Sequence, residues 1–277
     1  MRPRLSRYAD DAARLAAILL MIATLVFLVF PLILAVTMSF DARDYLGPFP
    51  PRAFSLRWYA RFFSDSYFLT GLKFSLVLAV LSTLISSAIG VAAAVAIDGG
   101  ARGLRALATS LFLAPLIVPG VVVGFALLLF YSRIGLESSF LRLLGGHVLI
   151  SFPYVLRTTL VALGGIPKPL REAALSLGAN ERRAFWTITL PLAKTGIAAG
   201  AVFAFAFSLD DVAMTLFLTD PYNYTLPVAL ISMMYSNFDL TIAAAAVLLV
   251  GSTLVLMVGL DRLIGLDRVV GAGVYRA

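Results

Sequence analysis

The chain contains no cysteine and only one histidine, His147. Without thiols there is no disulfide framework, no thiolate metal site and no cysteine nucleophile, and a lone imidazole cannot form a zinc or iron cluster. Charge is scarce as well: Asp, Glu, Lys and Arg make up 13% of 277 residues, against 61% apolar residues. A soluble domain carries about a quarter charged and about half apolar residues. An aqueous core of this length has no room for the excess, so part of the surrounding solvent must be lipid. Also absent is any G-x-x-x-x-G-K-[ST] string, which excludes a phosphate-cradling nucleotide loop.

Long apolar runs are what the sequence has instead. Six stretches reach the roughly 20 residues needed to cross about 30 Å of hydrocarbon: 15–38, 68–97, 107–131, 147–163, 193–218 and 241–264. Lipid offers a backbone no hydrogen-bond partners, so these runs predict helices. The strands of a membrane barrel would alternate in polarity, and these do not. Arg2, Arg4 and Arg7 ahead of the first run imitate a signal peptide. That run is too long for one and no small-residue cleavage site follows, so an uncleaved first span is expected.

Lysine and arginine are unevenly shared among the connections. One set holds Arg2, Arg4, Arg7 and Arg14; Arg102 and Arg105; Lys168, Arg171, Arg182, Arg183 and Lys194; and Arg262, Arg268 and Arg276. The alternate set holds Arg43, Arg52, Arg57, Arg61, Arg133 and Arg142. The richer set belongs on the cytoplasmic side, which places both termini there. The net charge of +7 is thereby a consequence of topology, and no nucleic-acid partner is needed to explain it. In the connection 39–66, Trp58, Tyr59, Phe62 and Phe63 read as a belt at the membrane interface.

The connection 164–192 is too long for a turn and too apolar for disorder. Pro169 can open a helix with Glu172 in its first turn, Ala173, Ala174 and Leu177 give a small apolar face, and Gly178 provides a stop. A second short helix is expected from Glu181 to Thr189, ahead of Pro191. Two such helices would either present a knob to a soluble partner or rest on lipid headgroups. Glu172-Ala173-Ala174, three residues, Gly178, nine residues and then Ile188-x-Leu190-Pro191 match the EAA loop without departure. The chain therefore resembles the type I, MetI-like permease subunits of binding-protein-dependent ABC importers. The resemblance implies an all-α permease of six transmembrane helices, a single domain over 1–277 with a five-helix core at about 68–264. It also implies that the loop is a coupling helix seated in a cleft of a separate ATPase, with Glu172 making polar contacts there. On this reading the chain is no enzyme and carries no cofactor, since ATP and Mg sit on an ATPase dimer. A second permease, a homologous partner, completes the path, and an extracytoplasmic solute-binding protein delivers solute to this multi-pass protein of the bacterial inner membrane.

Asp210 and Asp211 interrupt the fifth apolar run. Carboxylates at that depth cost several kcal/mol unless they face water, a cation or a partner. They can line a path for a cationic solute, pair with Arg157 or Lys73, or cap a break in the helix. The string Phe207-Ser208-Leu209-Asp210-Asp211-Val212, with Thr219-Asp220-Pro221 and Leu226-Pro227, is similar to the second permease of spermidine/putrescine importers. That similarity implies a polyamine-like solute; importers of aminoethylphosphonate, opines or ferric ion share parts of the string. Tyr222 and Tyr235 add aromatic faces suited to ammonium groups, and suit a membrane belt or a docking surface equally. His147, at the start of the fourth run, reads as an interfacial hydrogen bonder. The pairs Gly120/Gly124 and Gly196/Gly200 read as sites of close helix approach. A membrane enzyme would want paired acids, a His or Ser constellation or metal ligands, at which only Asp210 and Asp211 hint, and a channel would not need the Glu172–Pro191 segment.

Overall fold

The apolar runs are helical, with two interruptions, in the computed structural model, which describes residues 2–236 and 238–264. In chain order the elements are α1 (Arg2–Ser39), α2 (Arg57–Ser64), α3 (Ser66–Asp98), α4 (Arg102–Leu113), α5 (Gly120–Arg133), α6 (Ser139–Gly164) and α7 (Lys168–Ser176). There follow α8 (Glu181–Ala184), α9 (Leu190–Asp210), α10 (Thr215–Leu218), α11 (Leu226–Ser236) and α12 (Thr241–Ile264). Among the described residues, five helices are long and apolar enough to cross a membrane, and a bent pair makes a sixth when counted as one span.

That pair corrects the expected continuous span 107–131. It bends by 97° between Leu116 and Gly120. Pro115 and Pro119 flank the bend; each lacks an N–H and crowds the preceding turn. A short 3₁₀ turn, Ala114–Leu116, ends the first arm. The fifth run is also shorter than expected. Its helix stops at Asp210 rather than continuing to Leu218, and Asp211 is already extended, with φ −66° and ψ 128°.

The described residues group into two compact units. The smaller holds residues up to Ser64 together with 234–248. Its centre is Met38, Trp58, Leu240 and Ala244. Trp58 and Phe62, four residues apart on α2, are both buried, so they are core side chains and not part of an interfacial belt. The indole N–H of Trp58 donates to the Asp41 carbonyl at 2.8 Å. Hydrogen bonds from Arg43 hold the Asp41 carboxyl below the usual carboxylate range.

The larger unit, 65–233 and 249 onward, is built on α3, α6 and α9. Small residues make this packing possible. Ser75, Ala79, Ser82, Ser86, Gly90 and Ala94 form a buried stripe on α3, and Gly196, Gly200, Ala204 and Ser208 recur every fourth residue on α9. A Cβ at Gly196 would lie 2.5 Å from the Ala162 Cβ, and one at Gly200 would lie 2.7 Å from the Val155 Cα. The backbones of α6 and α9 thus touch, as small residues allow in helix pairs that gain nothing from excluding water. Gly124 serves α5 in the same way: a Cβ there would fall 2.8 Å from the Met214 carbonyl oxygen.

Gly200→Val is expected to destabilise the protein by about 1–3 kcal/mol through overpacking. Gly251→Val, with open space around it, should leave thermal unfolding in detergent unchanged; equal melting of the two variants would refute the close α6–α9 contact.

Candidate functional site

Two places in the larger unit gather the residues to which the sequence points. The first joins α6 to α9. Pro169 is the second residue of α7, and Glu172 the fifth, so Glu172 lies beyond the first turn and offers its carboxylate to solvent, not to the helix start. The helix ends as expected at Gly178, whose φ of +89° favours a residue without a Cβ. Its N–H donates to the Leu175 carbonyl and the Ala179 N–H to the Ala174 carbonyl, each at 3.0 Å, closing a Schellman turn. Asn180 then caps the next helix, its side-chain oxygen accepting from the Arg183 N–H at 2.9 Å. Across the turn the Arg171 guanidinium meets Glu181 at 2.5 and 3.1 Å. Both side chains are solvated, so the pair sets direction more than stability.

The separate second helix expected over 181–189 is instead the start of one helical run, Glu181–Asp210. Residues Phe185–Thr189 form a π turn, in which the Leu190 N–H reaches back to the Phe185 carbonyl. This wider turn lets the run pass Pro191, which has no N–H to donate and would clash in a regular helix. Ile188 and Leu190 are half-buried, while Ala173 and Pro191 are exposed and Ala174 is half-buried. Leu177 does not join an apolar face: it is 89% exposed, and Trp186 is exposed as well. The loop therefore exposes apolar side chains as well as the Glu172 carboxylate. A large apolar residue directly before the glycine stop was the available signal for Leu177.

The second place is the break after α9. Asp211 Oδ2 accepts from the Thr215 N–H at 3.0 Å and from the Thr215 hydroxyl at 2.7 Å. The carboxylate caps the next turn and so competes with continuation of the helix. Among the described residues neither Lys73 nor Arg157 forms an ion pair with either acid. Asp210 and Asp211 both line a 580 Å³ cavity with Tyr154, Phe203, Ala206, Phe207, Val212 and Ala213. Phe203, Phe207 and Asp210 follow the i, i+4, i+7 spacing of one helix face, a signal legible in the sequence. Tyr154 stacks near this wall, 5.0 Å from Phe207 and 6.4 Å from Phe203 between ring centroids. Tyr222 is exposed on the α10–α11 connection and does not line the cavity; Tyr235 is exposed at the end of α11, in the smaller unit.

His147 is not interfacial. Its helix begins at Ser139, eight residues earlier than the apolar run suggests, which carries the imidazole about 12 Å along the axis. It is fully buried, with Nδ1 2.7 Å from Ser208 Oγ and Nε2 3.0 Å from Thr215 Oγ1. Ser208 Oγ in turn lies 3.0 Å from Ser82 Oγ.

Residues 88–265 match the family model described as the inner membrane component of binding-protein-dependent transport systems. The chain is 29% identical over 238 residues to the spermidine/putrescine transport system permease protein PotC of Escherichia coli K12, covering 86% of this chain and 89% of that one. It is 28% identical over 243 residues to the putrescine transport system permease protein PotI of the same organism, covering 85% of each. The structure superposes on a chain of a bacterial ABC transporter involved in the import of the acidic polysaccharide alginate with a TM-score of 0.73. The identity there is 19%, over 94% of this chain and 98% of that one. The likeness confirms the all-α, MetI-like fold.

Gly178→Ala is expected to cost about 1 kcal/mol locally, because alanine must adopt the left-handed conformation. Amide exchange should quicken across residues 168–184 and stay unchanged in α3. Unaltered exchange in the loop would refute the turn.

Proposed function

The chain belongs to the family of inner-membrane components of binding-protein-dependent transport systems, and from that premise we propose that it forms half of the membrane path of an ATP-driven importer for a polyamine-like cation. The observation that carries the substrate is the cavity at the α9 break. Two carboxylates attract ammonium groups, and the rings of Tyr154, Phe203 and Phe207 offer faces both to cations and to the methylenes between them. An aliphatic polyamine has that alternation of charge and hydrocarbon. The relatives named for spermidine and putrescine transport support the same reading. Tyr222 and Tyr235, both exposed, are assigned to the approach on the outer side.

The basic connections orient the chain with both termini in the cytoplasm of a bacterium. The 164–192 loop then faces an ATPase dimer, which holds ATP and Mg. Glu172 makes polar contacts with that subunit while Leu177 and Trp186 enter its cleft. Ala173 and Ala174 keep α7 slim enough to seat, Gly178 turns the chain, and Ile188, Leu190 and Pro191 join the loop to α9. A second, homologous permease packs against the exposed α6–α9 face, where Arg157, Thr158 and Phe203 help line an 810 Å³ groove. A binding protein delivers solute from outside. Closure of the ATPases displaces the loop, and the rigid run Glu181–Asp210 carries that displacement to the acids at its far end.

Asp210→Asn and Asp211→Asn should each lower spermidine uptake about tenfold at saturating loaded binding protein, a loss of about 1.4 kcal/mol, with assembly intact; unchanged uptake in both overturns the cation path. Glu172→Lys should abolish co-purification with the ATPase. Retained association, or solute flux with no ATPase present, overturns the coupling role.

A further inference from the structure

The break between α9 and α10 is spanned by one side chain. Ser208 precedes the break and Thr215 follows it, and the two nitrogens of His147 contact both hydroxyls. The imidazole comes from α6, where the adjacent Gly146 admits Met214 so closely that a Cβ there would lie 2.8 Å from the sulfur. We propose that His147 is the positioning residue for Asp211, acting through Thr215 to hold the carboxylate at the cavity; the inference rests on the reading of Asp211 as part of the solute path.

Hydrogen-bond bookkeeping fixes the direction of the network. An ionised Asp211 only accepts, and the single Thr215 hydroxyl proton is committed to its Oδ2. Thr215 Oγ1 must then accept from His147, so the neutral imidazole carries its proton on Nε2. Nδ1 is left as an acceptor for the Ser208 hydroxyl, and Ser208 accepts in turn from Ser82 on α3, whose single proton is shared between Ser208 Oγ at 3.0 Å and the Ala79 carbonyl at 3.2 Å. Donation runs from α3 through α9 and α6 to the carboxylate, with every buried polar atom along the route paired. Such a network is valuable only while complete, because a missing link strands buried hydroxyls on both sides. Removal of the imidazole frees Thr215 to rotate its hydroxyl away from Asp211, and the carboxylate loses the donor that aims it.

The test uses the whole transporter in proteoliposomes, with ATPase, second permease and binding protein, and reads spermidine moved per ATP hydrolysed. A merely structural defect leaves fewer working complexes and lowers both rates together, so that this ratio does not move. A misaimed Asp211 lowers the ratio. His147→Leu should reduce it about fivefold, a size usual for coupled neighbours. His147→Gln, whose amide retains one donor and one acceptor, should restore it to within about twofold of the native value. Thr215→Val preserves shape and removes the relay hydroxyl, and should match His147→Leu even where the latter assembles poorly. In an Asp211→Asn background, His147→Leu should have no further effect. A ratio unchanged by both His147→Leu and Thr215→Val, with Asp211→Asn lowering it, overturns the positioning role alone; a ratio unchanged in Asp211→Asn overturns the solute-path reading and this inference with it.

Discussion

A backbone in hydrocarbon must satisfy its own N–H and C=O groups, and this requirement organises the larger unit. It makes the apolar runs helical, and it makes each departure from helix depend on a local substitute. At the α9 break the substitute is the Asp211 carboxylate, which takes up the Thr215 N–H. Between α4 and α5 it is a 3₁₀ turn that contains Pro115 and is followed by Pro119, neither of which has an N–H to satisfy. Ahead of Pro191 it is a π turn. The irregular points of the fold are therefore chemically furnished. Two of them, the break and the π turn, stand at the two ends of the helix that links the loop to the acids.

Continuity and close packing are what the proposed coupling asks of α9. The run Glu181–Asp210 is continuous, and its inner face lies directly against α6 at Gly196 and Gly200. A push at one end of a helix so packed is transmitted as displacement of the whole element, since bending would require opening hydrogen bonds with no water to replace them. The carboxylates at its far end lie where helical order has just been given up. Motion of the rod changes their setting directly.

Much of this was legible in the residue string. Hydropathy alone located the spans to within a few residues wherever polar turns bounded them, as for α3 and α12, and Gly178 announced its left-handed turn by type and position. The glycine pairs likewise announced close contact. Hydropathy failed where polar side chains are buried and mutually satisfied. A fourth span read from His147 leaves 139–146 in the preceding connection and puts the imidazole at a surface it does not reach; the helix starts at Ser139, and His147 is buried against Ser208 and Thr215. The run through Asp210 and Asp211 is apolar on both sides, which leaves a cap as one of three roles open to the acids; the structure shows the Asp211 carboxylate capping the next turn. Trp58 and Phe62 read as an interfacial belt in the sequence because aromatic composition cannot distinguish an interface from a small core. Periodicity records which face is apolar; it does not record which polar groups have found each other.

The small-residue seams of α3 and α9 have a further implication. An interface of interlocked leucines must unseat knob after knob before one helix can move along another, and each step forfeits dispersion contacts. A surface of glycine, alanine and serine has little relief to unseat, and almost no rotamer freedom is gained or lost as it slides. The seam behaves as a smooth bearing, holding backbones close while offering low friction along its length.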